Sequence, residues 1–355
     1  MPNAKRCIKI VQFFHNGGEH ITNYRSSGNR KHRWDKERII KDEFMPSNLG
    51  EHRRKFMVNK GKCLNQDLSK SIKTDIAFWG EWENPSKFKP IKYNNIDERL
   101  HKWLSNSTNK KKVKITNTKK DRYFQKNDIP QYVHYKFYKE NNKKIRENTD
   151  PYIFGNTFYY CCCKQTDKYG NPGWLQTNLA SGSLILFGSR LNDRFILDTV
   201  FVVSDFKPYC TSSKDNLYFK KVLSVTDTYS NASLEPLRKN KHKLMLYSGA
   251  TFDSKYSICE NKIFSFFPCK KVNKTEDISQ CASNVAFSRP FLDLKKYNLT
   301  IAGRGASGNI LEKYKKNNLI NKSDEEVVAI YWRMIIDDII QQGFNIGTFT
   351  EEPNI

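Results

Sequence analysis

The residues able to do chemistry fall in a few short clusters. HNGGEH, residues 15–20, gathers His15, Glu19 and His20 around two glycines, directly after the apolar run CIKIVQFF. Loops at strand ends are common places for chemistry. Two imidazoles and a carboxylate could ligate a metal or exchange protons, but the glycines between them rule out the helical HExxH arrangement. EHRRKF, residues 51–56, adds His52, Arg53 and Arg54, a set suited to clamping a phosphate. AFWGEWE, residues 77–83, places Trp79 and Trp82 beside Glu81 and Glu83 with Gly80 between. Indoles can stack on a base, and a neighbouring carboxylate can accept its N–H groups.

These types set the candidate roles. His15, Glu19, His20, His52 and Glu81 are the candidate catalytic groups. Trp79, Trp82, Glu83, Arg53 and Arg54 are the candidate ligand contacts. The plainer reading makes the tryptophans core anchors and the charges solvated. In a regular strand Trp79 and Trp82 face opposite sides, because their spacing is odd; a bulge at Gly80 would turn both toward one pocket. Two further arginines qualify as anion contacts. Arg289 is held extended before Pro290 in SRPF, and Arg304 sits among the glycines of AGRGASGN, residues 302–309. That loop lacks the strand–loop–helix setting of a phosphate cradle. Asp150, in NTDPY, reads as a structural turn cap.

Nine cysteines show no CxxC pairing. Cys161, Cys162 and Cys163 are consecutive in a strand-like run, where neighbours point apart, so they read as a poor zinc site and a poor disulfide framework. A reducing cytoplasm is the expected compartment. No stretch approaches the ~20 apolar residues of a membrane span, and the N-terminal run reads as a first strand rather than a signal peptide. Metal and cofactor stay open at this level.

Charge points to a partner. The net charge is +24 over 355 residues. It is segregated: residues 101–148 hold 14 Lys/Arg against 4 Asp/Glu, whereas residues 323–355 hold 1 against 7. A lysine-rich genome would not produce such segregation, so a surface that contacts the phosphates of a nucleic acid or nucleotide is expected.

The elements that must position these groups follow from patterning. Residues 1–104 read as an α/β part that contributes to the site, 105–148 as a basic linker or loop, and 149–355 as a β-rich part. TFYYCCC, GSLILFG, RFILDTVFVV, YFKKVLSV, KLMLYSG and KIFSFFP read as strands. A helix is expected over 323–342, capped by Ser323, with Asp324, Glu325 and Glu326 in its first turn and Gly343 at its end. The fold class is therefore α+β, a curved β-sheet or barrel with flanking helices.

The run ASGSLILFGSRLNDRFILDTVFVVSDFKPY, residues 180–209, resembles PUA-like barrels of the EVE, YTH and ASCH type. A small turn precedes an apolar strand there, and a second strand ends in VFVV. The resemblance extends over residues 180–260, with Ser183 where aspartate is usual. The blocks FWGEWE, TDPYIFG and GSLILFGS resemble those of a stand-alone bacterial family without a known function. The PUA-like resemblance implies a protein that reads a flipped or modified base in a tryptophan-lined pocket, with restriction or phage defence as a fitting setting. The alternative is an enzyme acting on nucleic acid or a nucleotide through the His15/Glu19/His20 and His52/Arg53/Arg54 groups.

Overall fold

The computed structural model describes residues 6–14, 24–25, 31–32, 38–40, 43–45, 54–65, 67–82, 84, 86–91, 132–137, 149–191, 194–212, 216–239, 242–253, 262–272, 290–300 and 306–354. The strands are β1 (Ile10–Phe14), β2 (Tyr24–Arg25), β3 (Lys31–His32), β4 (Arg38–Ile40), β5 (Glu43–Met45), β6 (Arg54–Leu64), β7 (Ser71–Glu81), β8 (Ser86–Pro90) and β9 (Tyr132–Phe137). After them come β10 (Tyr159–Tyr160), β11 (Leu184–Leu191), β12 (Arg194–Cys210), β13 (Lys243–Gly249), β14 (Phe267–Val272), β15 (Phe291–Leu292), β16 (Ala306–Ser307) and β17 (Asn345–Thr350). Four α-helices matter for packing: α1 (Trp174–Thr177), α2 (Asn216–Leu223), α3 (Ile310–Asn318) and α4 (Asp324–Gln341). The protein is mixed α/β, with sheets dominant and helices flanking them. Among the described residues, no helix is long and apolar enough to cross a membrane.

The first sheet runs β10-β13-β12-β11-β1-β16, with β15 added beside β12. Its centre reads IVQFF and LILF because it is covered on both faces. Leu184, Leu186 and Ile10 join Val327, Tyr331 and Ile335 of α4 on one side. Ile185, Phe187, Val11 and Phe13 point the other way, toward Met57, Phe78 and Trp82 of the second sheet. Each fully buried side chain of this kind contributes about 1.5–3 kcal/mol, so this sandwich is the chief source of stability.

The second sheet runs β17-β14-β7-β6-β9-β8-β5-β4, and β17 also pairs with β6. The ladder β6–β7–β14–β17 therefore closes on itself. Close backbone approach makes the closure possible: a Cβ on Gly61 would lie 2.5 Å from the Phe349 carbonyl, and one on Gly347 would lie 2.5 Å from the Phe267 ring. Both sheets take strands from either side of residues 105–148, and the second takes β9 from within them, so this part of the expected basic linker is instead a strand that buries Val133, His134 and Phe137; the rest of 105–148 lies outside the described residues.

Helix α4 follows its sequence signals. Ser323 and Glu326 form a reciprocal capping box, and Val327, Tyr331 and Ile335 are buried. Three segments depart from the strand expectation; in KIFSFFP only Phe267 and Pro268 lie in a strand, with Phe266 as an isolated bridge to Val200. YFKKVLSV is mostly helix α2, because Phe219 and Leu223, four apart, are buried on one helical face. In TFYYCCC only Tyr159 and Tyr160 are strand, and the cysteines turn away from it.

Candidate functional site

AFWGEWE runs along β7 and just past its end. Its pairing with β6 is continuous from Arg54 opposite Glu81 to Leu64 opposite Ser71, with no bulge at Gly80. A Cβ at Gly80 would lie 2.5 Å from the Met57 Cε, so the glycine makes room for a core methionine rather than a ligand. The indoles accordingly belong to different apolar clusters. Trp82 is fully buried and packs edge-on against Phe137 at 5.7 Å and Phe154 at 5.3 Å. Trp79 packs on Phe56 at 5.2 Å, within a group that includes Val58, Val133 and Val272. The expectation of a shared pocket is thus corrected: odd spacing on a regular strand separates the rings.

Trp79 nevertheless borders a cleft. Phe56, Leu197, Asp198, Pro268, Lys270, Pro290 and Phe344 complete its walls. It leaves about 10 Å³ for the centre of a water-sized sphere, room for about one water and not for a base. Asp198 reaches it from an irregularity in the β11–β12 ladder, where Phe187 pairs with Thr199 but Gly188 with Leu197. The extra residue on β12 is Asp198, and such bulges re-aim a side chain. The Lys270 ammonium donates to the Gly343 carbonyl and lies 4.4 Å from the Phe344 ring centre. Burial pushes its pKa below the usual lysine value. Pro290 is tied in by its carbonyl, which accepts the Leu197 N–H at 3.0 Å.

A second polar centre lies where β7 meets residue 150. Glu81 is buried, and its Oε1 accepts the Asp150 N–H at 3.0 Å. The Asp150 carboxylate, fully buried, accepts N–H groups from Cys161 at 2.9 Å, Cys162 at 2.9 Å and Cys163 at 2.7 Å. Burial raises its pKa, and the three N–H donors act in the opposite direction. The turn-cap reading of Asp150 matches this geometry, although the partners lie a strand away. Nearby on β6, Lys55 is buried and donates to the Asn84 carbonyl at 3.1 Å, while Ser86 Oγ and His134 Nδ1 share a hydrogen bond of 2.8 Å.

The basic character has a location. Strands β6, β7, β8, β9, β14 and β17 carry ten Lys/Arg and two acids, Asp75 and Glu81. Of these, Lys60, Lys73, Lys87, Lys89 and Lys271 are exposed. Lys62 and Lys73 sit directly opposite each other across the β6–β7 ladder, and the Asp253 carboxylate, 3.7 Å from the Lys62 ammonium, offsets their repulsion. Helix α4 carries five acids and one arginine, the opposite balance to the second sheet; of the basic block 101–148, only β9 lies within the described residues.

Of the remaining candidates, His15, Glu19, His20, His52, Arg53, Glu83, Arg289 and Arg304 lie outside the described residues. Arg54 is placed only by its backbone, at the start of β6. The structure thus joins Trp79 to the segment beginning at Pro290, and Glu81 to Asp150. Sequence reasoning missed Asp198 and the Asp150–cysteine contacts. A bulged aspartate inside an apolar strand was the available signal for the first; for the second there was none, since it depends on where the chain turns after Tyr160. No family model, no curated protein and no solved structure matches the chain significantly.

Proposed function

We propose that the chain is a nucleic-acid-binding protein whose phosphate-contacting surface is the second sheet. The observation that carries this reading is the ten-to-two excess of basic residues on its six strands, with five lysines exposed. Lysines held on a rigid sheet meet a phosphate backbone with little loss of order, and counterion release supplies the affinity. Base reading belongs to the same proposal and is assigned to Trp79 alone. Its cleft must widen before a base can stack, and a bordering lysine and aspartate would then supply a donor and an acceptor. The PUA-like reading of residues 180–260 accompanies it, supported by the antiparallel order β11–β12–β13.

The test is a binding titration of single- and double-stranded oligonucleotides at two salt concentrations. Affinity should fall steeply between about 50 and 200 mM salt, as expected for several phosphate contacts. Absence of binding at the lower concentration would refute the reading.

A further inference from the structure

The three consecutive cysteines are not arranged as a strand. The chain leaves β10 at Tyr160 and turns at once: the Gln165 N–H bonds the Cys162 carbonyl at 3.0 Å, and Lys164 has φ of 58°. The turn brings side chains together that a strand would hold apart. One oxygen of Asp150 and the sulfurs of Cys161 and Cys162 all lie within 4.8 Å of one another. Cys162 Sγ is 3.4 Å from Asp150 Oδ2 and 3.9 Å from Cys163 Sγ. Two sulfurs bound tetrahedrally to one zinc-type ion, each at about 2.3 Å, lie about 3.8 Å apart. The thiols are therefore already near the separation that a shared ion requires.

We propose that Asp150, Cys161 and Cys162, with Cys163 as a fourth arm, form a binding site for a thiophilic divalent ion of the zinc type. Three features of the surroundings fit a bound thiolate. The Asp150 carboxylate is fixed by three backbone N–H groups and retains acceptor capacity, since a carboxylate offers about four lone-pair positions. The Tyr209 hydroxyl holds the turn by donating to the Cys161 carbonyl at 2.9 Å. The Tyr229 hydroxyl is buried against the Cys161 thiol, which faces it as a weak acceptor. A metal-bound thiolate is a better acceptor than a thiol and would strengthen that contact. Cys162 and Cys163 are half-buried, so an ion can reach the site from their side, while Cys161 and Asp150 close it from within. Binding displaces the proton of each ligating thiol to solvent as the metal–sulfur bond forms.

The experiment uses the reduced, full-length chain and Cd(II) as probe. One equivalent of Cd(II) should produce the near-ultraviolet thiolate-to-metal absorption, release protons in proportion to the thiols bound, and be displaced by excess Zn(II). Cys162→Ser should weaken binding at least about tenfold while leaving the far-ultraviolet circular dichroism unchanged. Cys163→Ser, at the other accessible thiol, gives a second reading should that variant fold poorly. Cys63→Ser, which alters the separate Cys63–Cys269 thiol pair between β6 and β14, should bind as the parent does. No absorption at one equivalent would overturn the site and leave the cysteine turn as a cage for Asp150. An absorption that survives the Cys162→Ser/Cys163→Ser double variant, or that is lost with Cys63→Ser, would also overturn it.

Discussion

Glu81 and Asp150 are joined by a hydrogen bond from the Asp150 backbone N–H to the Glu81 Oε1, 3.0 Å long and spanning 69 residues of chain. It couples the end of β7 to the loop whose aspartate gathers the cysteine turn. Glu81→Ala leaves that buried N–H without its acceptor, which costs about 1–3 kcal/mol. Glu81→Gln keeps an acceptor oxygen in place and should lose less. Thermal melts of the two variants check this, and an equal loss in both would show that the charge, not the acceptor, carries the effect.

Trp82 and Trp79 should separate in behaviour. Trp82→Ala empties a fully buried position between Phe137 and Phe154 and is expected to cost about 3–5 kcal/mol. Trp79 borders the cleft, so nucleic-acid binding should change the tryptophan fluorescence through it. Trp79→Phe should remove that change while the protein still melts cooperatively. Persistence of the full spectral change in Trp79→Phe would place the binding event elsewhere.

The lysines of the second sheet make a quantitative prediction. Lys73→Gln combined with Lys89→Gln removes two exposed charges from its strands. If both contact phosphate, the slope of log affinity against log salt should shrink by about 0.9 per lysine on duplex DNA. The melting temperature should hardly move, since exposed substitutions of this kind fall within about 0.5 kcal/mol. An unchanged slope would exclude these two positions from the interface.

His134 gives the protein a pH dependence. The ring is buried beside Lys55, and burial first, then the lysine charge, holds its pKa well below the usual value. The unfolded chain takes up a proton near pH 6.5 that the native chain refuses. The contribution of His134 to stability is therefore full above about 6.5 and is lost as pH falls toward the depressed native pKa. Denaturant melts at pH 7.5 and 5.5 should show this loss in the parent and a smaller one in His134→Gln. Equal losses would assign the effect to other groups.

Helix α4 could be read from the sequence because every signal lay within one segment: the Ser323 cap, the acidic first turn and the apolar spacing. The strands GSLILFG and KLMLYSG were legible for the same reason, as bounded apolar runs. YFKKVLSV misled because its β-branched and aromatic content fits a strand, while the burial of Phe219 and Leu223 on one side is settled only by the neighbours of α2. The pocket expected at Gly80 failed on similar grounds. Glycine permits a bulge, but the partner Met57 on β6 decides whether one forms. The Asp150 contacts join a turn to residues eleven to thirteen positions away, and no periodicity encodes them.

The closed ladder of the second sheet also bears on when the protein can form. Thr350 of β17 donates a hydrogen bond to the Lys60 carbonyl of β6, two positions 290 residues apart. Until β17 is in place, β14 and the Gly61–Cys63 end of β6 each present a bare edge that another chain could pair with. Assembly of this sheet thus waits on contacts between residues about 290 positions apart, and slow folding follows from that non-local topology. Shortening the chain before Asn345 would leave two adhesive strand edges open, and such a product should self-associate rather than remain a partly folded monomer.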